Sequence, residues 1–226
     1  MPSVVPTAIP FKDRALAARS LAALYEAYVT SGSVFPVDRF AGAAEDLLAD
    51  SPDPDLALVN LLRFVEASFS RAALFNDLVQ YRPFLELLLT LFASSRYLAD
   101  ILVREPELFR WLTGGDLLDR PLDPAELREE FRRPREMFTH PDRMLDAVKR
   151  IHRRAILRIG AQDLLGRADV ASVTAQLSDL ADAVLDAVLD IASLQLHERL
   201  PVSGFPAPPA SSAPGTPGGF AVLALG

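Results

Sequence analysis

The sequence contains no cysteine, which excludes disulfides and thiolate metal sites and points to the cytoplasm as the expected compartment. Histidine is scarce. His140, His152 and His197 stand apart, with no nucleophile and acid in a triad-like arrangement around any of them. The opening Met1-Pro2-Ser3-Val4-Val5-Pro6 lacks the basic start and apolar run of a signal peptide. Long uncharged apolar runs are also missing. The most lipid-like stretch, residues 84–103, carries Glu86, Arg96 and Asp100. Each is costly at a bilayer centre, so the stretch reads as one buried core helix. Positive charge is in deficit: the net charge of -7 argues against broad, charge-driven binding to nucleic acid or an anionic membrane. Strand signals are scarce before residue 200, and no fixed-period repeat of the solenoid kind is present.

What remains is helical. Half the 226 residues are apolar, enough for a sizeable core. Asp13 can cap a helix carrying Leu16, Leu21, Leu24 and Tyr28, which Ser31-Gly32-Ser33 ends. A second helix is expected over 37–49, stopped by Ser51-Pro52-Asp53-Pro54. Asp55 is the expected N-cap of a third, carrying Leu58, Leu61, Leu62, Val65 and Phe69. Apolar stretches over 71–80 and 84–103 follow, with Pro83 in the first turn of the later helix. Glu105-Pro106-Glu107 opens a short helix ending near Trp111 and closed by Thr113-Gly114-Gly115. Asp123-Pro124 starts another that Pro134 interrupts. Pro141 begins a long helix running to about Ile159, where Gly160 offers a stop or bend. The last helix, 171–200, sets Leu177, Leu180, Val184, Val188 and Ile191 along one side and Asp179, Asp182, Asp186 and Asp190 along another.

The composition then shifts. Residues 201–219 are rich in Pro, Ala, Ser and Gly, a linker signature. Residues 220–226, Phe-Ala-Val-Leu-Ala-Leu-Gly, read as a strand buried on both faces. A lone strand needs neighbours for its backbone groups. The expectation is that its sheet belongs to sequence outside these residues. The expected fold class is all-α: a helical domain over 1–200 with about seven to nine helices, a linker over 201–219, and one orphan β-strand over 220–226.

Several patterns invite a sharper reading. Asp53-Pro54-Asp55 is formally an Asp-x-Asp metal pair, but no Gly-rich loop precedes it, and with Pro52 before it and Pro54 within it, it reads as a turn and cap. The aspartate row on the last helix reads as a solvated face, because helical carboxylate metal sites draw on several helices. Ser94-Ser95 reads as a small-residue contact inside a helix, and Leu108, Phe109 and Trp111 as core anchors. Arg150, Arg154 and Arg158 recur every fourth residue and share one helix face, with Lys149 and Arg153 beside them. They are the candidate interaction surface, for an acidic partner or for nucleotide phosphates. The competing reading is pairing with carboxylates of neighbouring helices. No residue is a candidate for catalysis, cofactor binding or metal binding.

Three stretches together carry a resemblance. Residues 94–108 (Ser-Ser-Arg-Tyr-Leu-Ala-Asp-Ile-Leu-Val-Arg-Glu-Pro-Glu-Leu) form a helix leading into a Pro-Glu-Leu turn. Residues 154–166 (Arg-Ala-Ile-Leu-Arg-Ile-Gly-Ala-Gln-Asp-Leu-Leu-Gly) are continued by 177–183 (Leu-Ser-Asp-Leu-Ala-Asp-Ala). Residues 219–226 are the apolar finish. In this order they resemble the glutamine synthetase adenylyltransferase/adenylyl-removing family, over roughly residues 55–226. One departure is Gln162, where that family often carries Arg. The resemblance implies a parent nucleotidyltransferase that uses ATP and magnesium to add AMP to glutamine synthetase and also removes it. A PII-class signalling protein is implied as a second partner. It identifies residues 220–226 with the first strand of a catalytic domain, cut before its Gly-rich loop and Asp-x-Asp pair. It places the chain in the N-terminal, AMP-removing half and predicts that the chain alone is inactive. The alternative is a self-contained, non-catalytic helical interaction module.

Overall fold

A computed structural model describes residues 6–199, with side chains as far as Leu196. The expected linker over 201–219, the strand over 220–226 and the side chain of His197 lie outside the described residues. Among the described residues the fold is all-α, with ten helices: α1 (Arg14–Ser31), α2 (Val37–Ala49), α3 (Pro54–Ala67), α4 (Arg71–Gln80), α5 (Arg82–Ser94), α6 (Arg96–Arg104), α7 (Glu107–Leu112), α8 (Pro124–Met137), α9 (Pro141–Leu164) and α10 (Val170–Arg199).

Local chemistry sets most boundaries. The Asp13 carboxylate accepts the Leu16 amide at 2.8 Å at the start of α1, and Gly32 ends that helix at φ 80°. Asp123 caps α8 at the Ala125 amide, 2.7 Å away, and Pro124 follows at the first helical position.

Six expectations are corrected. The apolar stretch 84–103 is two helices, because Ser95 is extended and accepts the Leu98 amide at 3.3 Å as the N-cap of α6. This break, rather than a small-residue contact, is the role of Ser95, and it takes the Phe92 carbonyl out of the helix ladder. Buried Asn60 of α3 supplies the missing donor, Nδ2 to Phe92 O at 3.1 Å. Asp53, not Asp55, caps α3, accepting the Leu56 amide at 3.0 Å. Asp55 reaches back instead to the Lys12 and Asp13 amides, at 2.8 and 3.1 Å. Pro134 does not interrupt α8, which continues through it to Met137. A helical proline costs about 3 kcal/mol, and buried Leu127, Phe131 and Pro134 itself hold this helix against its neighbours.

Gly160 likewise does not stop α9, which continues through it to Leu164. That helix ends at Gly166, φ 63°, where the Arg167 amide bonds to Gln162 O at 2.8 Å and the Gly166 amide to Asp163 O at 3.0 Å. Gly160 serves packing: a Cβ there would lie 2.7 Å from Leu98 Cδ1 and 3.3 Å from Cδ2. Finally, the buried stripe of α10 is Gln176, Leu180, Ala183, Ala187 and Ile191, whereas Leu177 and Val188 are exposed. The expected stripe was rotated because α10 has more apolar residues than one contact face holds.

Two hydrophobic cores result. The first joins α1–α7 with Leu157 and Ala161 of α9. Tyr28, Phe40 and Phe75 cluster at centroid distances of 4.6–5.3 Å and tie α1, α2 and α4 together. Phe64 stacks near Phe92 and Phe109, each at 5.7 Å, joining α3, α5 and α7. The second core is a three-helix bundle of α8, α9 and α10, built on Leu127, Phe131, Met144, Val148, Ile159 and Leu180. Helix α9 belongs to both, packing on α5 and α6 as well as on α8 and α10.

Gly160→Ala is expected to lower stability by about 1 kcal/mol in urea denaturation, because overpacking outweighs the gain in helix propensity. Combined with Leu98→Ala, the double variant should lose less than the sum of the singles by on the order of 1 kcal/mol. Strict additivity would show that Leu98 is not what Gly160 accommodates.

Candidate functional site

Arg150, Arg154 and Arg158 lie on α9, as their spacing requires, yet they occupy three environments. Arg150 is exposed, Arg154 half-buried and Arg158 buried. They do not form one open basic strip.

Arg158 points into the 113–123 connection between α7 and α8. Its Nε donates to Leu117 O at 2.8 Å, and its Nη2 donates to Arg120 O at 2.8 Å and Pro121 O at 3.2 Å. One helical turn on, buried Gln162 donates from Nε2 to Arg120 O at 2.6 Å and to Leu117 O at 3.2 Å. Gln176 of α10 accepts the Leu122 amide at 2.8 Å. A connection without secondary structure must find partners for its backbone groups, and these three buried side chains provide them. Burial pushes the Arg158 guanidinium down from its usual range, and Arg120 adds to the effect, while Glu126 and Asp116 oppose it. Its ordinary value lies so far above neutrality that it keeps its charge.

The neighbouring arginines bridge the two cores. Arg153 Nε donates to Glu105 Oε1 at 2.7 Å, at the junction of α6 and α7. Arg154 pairs with Glu130 of α8, and its guanidinium carbon sits 5.0 Å from the centre of the Trp111 ring on α7. Burial lowers the Arg154 pKa too. Burial, followed by the charge of Arg153, lowers that of His152. Leu108 and Phe109 are buried core anchors, while Trp111 stands at the core margin under Arg154.

The carboxylates singled out by pattern serve structure. Asp53 caps α3 and pairs with Lys12 at 3.3 Å. The Leu56 amide is the main cause of its lowered pKa. On α10, Asp182 and Asp186 are exposed, and Asp190 pairs with Arg135 of α8 at 3.3 Å. Among the described residues no group of three or more His, Asp or Glu side chains is placed to hold a metal ion. Among the described residues, too, no helix is long and apolar enough to cross a membrane.

Sequence spacing singled out the α9 arginines but not their destinations, and it passed over Asn60 and Gln176. The available signal was an amide inside an apolar helical stripe, as at Asn60 between Leu58 and Leu61. Such a residue is tolerated inside when it satisfies a broken backbone.

Replacing Arg158 by Ala takes the side-chain donor from Pro121 O, leaves Leu117 O and Arg120 O to Gln162 alone, and empties the space of a buried side chain, and should cost about 3 kcal/mol in urea denaturation. Arg150→Ala should stay within about 0.5 kcal/mol of the parent. Comparable losses at both positions would contradict the separation of roles.

The sequence profile described as Glutamate-ammonia ligase adenylyltransferase matches residues 85–226. The chain is 37% identical over 150 residues to a protein of Streptomyces avermitilis named bifunctional glutamine synthetase adenylyltransferase/adenylyl-removing enzyme, covering 65% of this chain and 14% of that one. Proteins of the same name from Pseudomonas aeruginosa and Burkholderia mallei are 32% identical over 165 residues and 28% over 166. Those alignments cover 72% and 71% of this chain but 17% and 18% of the relatives. The chain thus spans less than a fifth of the length of these relatives.

Proposed function

Because this chain belongs to the glutamate-ammonia ligase adenylyltransferase family, we propose that it is a helical docking part of a protein that regulates glutamine synthetase by adding and removing AMP. The match over residues 85–226 carries this reading, since it takes in α6 to α10 and the seam that Arg158 organises. The parent protein would draw on ATP and magnesium held by other residues than those described. In this proposal the domain arrangement is a helical domain over 1–200, a linker over 201–219 and the first strand of a nucleotidyltransferase sheet over 220–226.

The part played by the helices is positional. The two cores meet along α9, and three contacts fix their relation: Arg158 to the 117–121 carbonyls, Arg153 to Glu105, and Arg154 over the Trp111 ring. A rigid block of this kind suits the presentation of one protein surface to another. Arg150 is the member of the arginine face exposed for an acidic partner, with exposed Lys149 beside it. Glutamine synthetase is the proposed partner, and a PII-class signalling protein a second.

A self-contained interaction module is the second reading, and the two closed hydrophobic cores favour it, since the helices bury their apolar surface against one another. Both readings predict binding without chemistry. The purified chain, mixed with glutamine synthetase, ATP labelled in the α-phosphate and magnesium, should bind the synthetase in a surface-plasmon assay and transfer no label. Arg150→Glu should weaken that binding by about tenfold. Absence of any binding to glutamine synthetase removes the docking role, and transfer of label removes the division between helices and chemistry.

A further inference from the structure

Helices α8 and α9 are antiparallel neighbours, joined by the short 138–140 connection and packed on one another. The Arg154–Glu130 pair fixes their register. Arg150 precedes Arg154 by one turn of α9, and Arg133 follows Glu130 by nearly one turn of α8. In an antiparallel pair both steps lead the same way along the crease, by about 6 and 4.5 Å. Both side chains therefore emerge on the side of the crease where the ion pair lies. Arg143 continues that face of α9, about 10 Å further along. Met137 follows Arg133 by one turn of α8 and is 72% exposed.

Most cations of these two helices are already met. Arg132, Arg135, Lys149, Arg153 and Arg154 pair with carboxylates, and Arg158 is held by carbonyls. Arg133, Arg143 and Arg150 are exposed, and among the described residues their guanidinium groups have no ion-pair or hydrogen-bond partner. Glu136 and Asp142, on the same turns, do not pair with them. In a chain of net charge -7, three unmet guanidiniums along one crease are a local reversal of sign.

We propose that this crease binds an acidic peptide segment of a protein partner, with carboxylates on Arg133, Arg143 and Arg150 and an apolar side chain against Met137. The charge sets the sign of the occupant, and the spacing sets its kind. The arginines are strung along the crease and do not converge. The separation of about 10 Å between Arg150 and Arg143 is three residues of extended chain, too far for one phosphate to bridge. Methionine is an adaptable apolar contact, which a phosphate would leave unused and a peptide side chain would cover. This inference deepens the proposed docking role, on which it rests, by giving the chemistry of the partner's segment.

The test uses the full chain and a fluorescein-labelled peptide of glutamate pairs alternating with leucines. A second peptide with glutamine in place of glutamate is the neutral control. Fluorescence anisotropy should rise with the acidic peptide and not with the neutral one. Arg133→Glu, Arg143→Glu and Arg150→Glu should each weaken binding about tenfold, and Met137→Ser at least about threefold, with helicity by circular dichroism retained. Arg128→Glu makes the same change of net charge at an exposed residue about 140° away round α8 and should stay within about twofold. An equal loss at Arg128 and Arg133 means attraction by overall charge and overturns the proposal. So does binding of inorganic tripolyphosphate without binding of the peptide, which assigns the arginines to a phosphate. Glutamine synthetase binding is read separately. If the synthetase binds but the acidic peptide does not, the crease is overturned and the docking role stands; peptide binding without synthetase binding upholds the crease and removes that role.

Discussion

The guanidinium of Arg158 is buried without a carboxylate in contact, held by the carbonyls of Leu117, Arg120 and Pro121. Taking a charge out of water is expensive, and only good hydrogen-bond geometry offsets it. The geometry here has a second effect. Those carbonyls belong to the stretch joining the α1–α7 array to the α8–α10 bundle, which has few backbone partners of its own. A planar fork of donors fits several carbonyls at once, as the single point charge of a lysine does not. Gln162, one turn along, repeats the interaction with an uncharged amide. The connection is thereby fixed to α9, and the first residues of α8 with it.

That constraint explains why α9 is a shared helix rather than the edge of one core. Leu157 and Ala161 face the first core, while Ala155 and Ile159 face the second. The two apolar faces leave narrow polar sectors between them, and the arginines occupy those sectors. Arg153 and Arg154, adjacent in sequence, point about 100° apart on a helix, so one reaches Glu105 and the other Glu130. Gly160 completes the arrangement by admitting Leu98 against the helix backbone. Close approach on one side, ion pairs at the margins and a buried fork at the connection act on the same two turns of α9.

Much of this was legible in the sequence where a local interaction decides the outcome. Asp13, Gly32, Asp123 and Pro141 mark helix ends because their effects operate within a few residues. Errors arose where a distant residue decides. Ser95 is a local cap signal within 84–103, but a break inside so apolar a stretch is tolerable only because Asn60, on another helix, gives the Phe92 carbonyl a donor. Pro134 and Gly160 read as interruptions because their costs are local, whereas the packing that offsets them is tertiary. Asp55 looked like a cap because it opens the helical stripe; the cap is Asp53, and Asp55 binds the entry to α1. The three-arginine pattern put all three residues on one helix but could not say that Arg158 faces inward, because helical spacing defines an angle and not what lies at that angle.

The same distinction limits what the arginine face can do for function. An arginine already bonded to carbonyls or a carboxylate at close range must lose those bonds before it meets a partner, and the side chains it leaves behind pay a desolvation penalty. Arg158 holds the connection, and Arg153 and Arg154 hold the seam. None of the three can turn outward without loosening the relation between the cores. A partner that used them would have to loosen the contact between the two cores. In the proposed docking role, recognition falls to a group whose removal leaves the seam intact: Arg150, for an acidic surface.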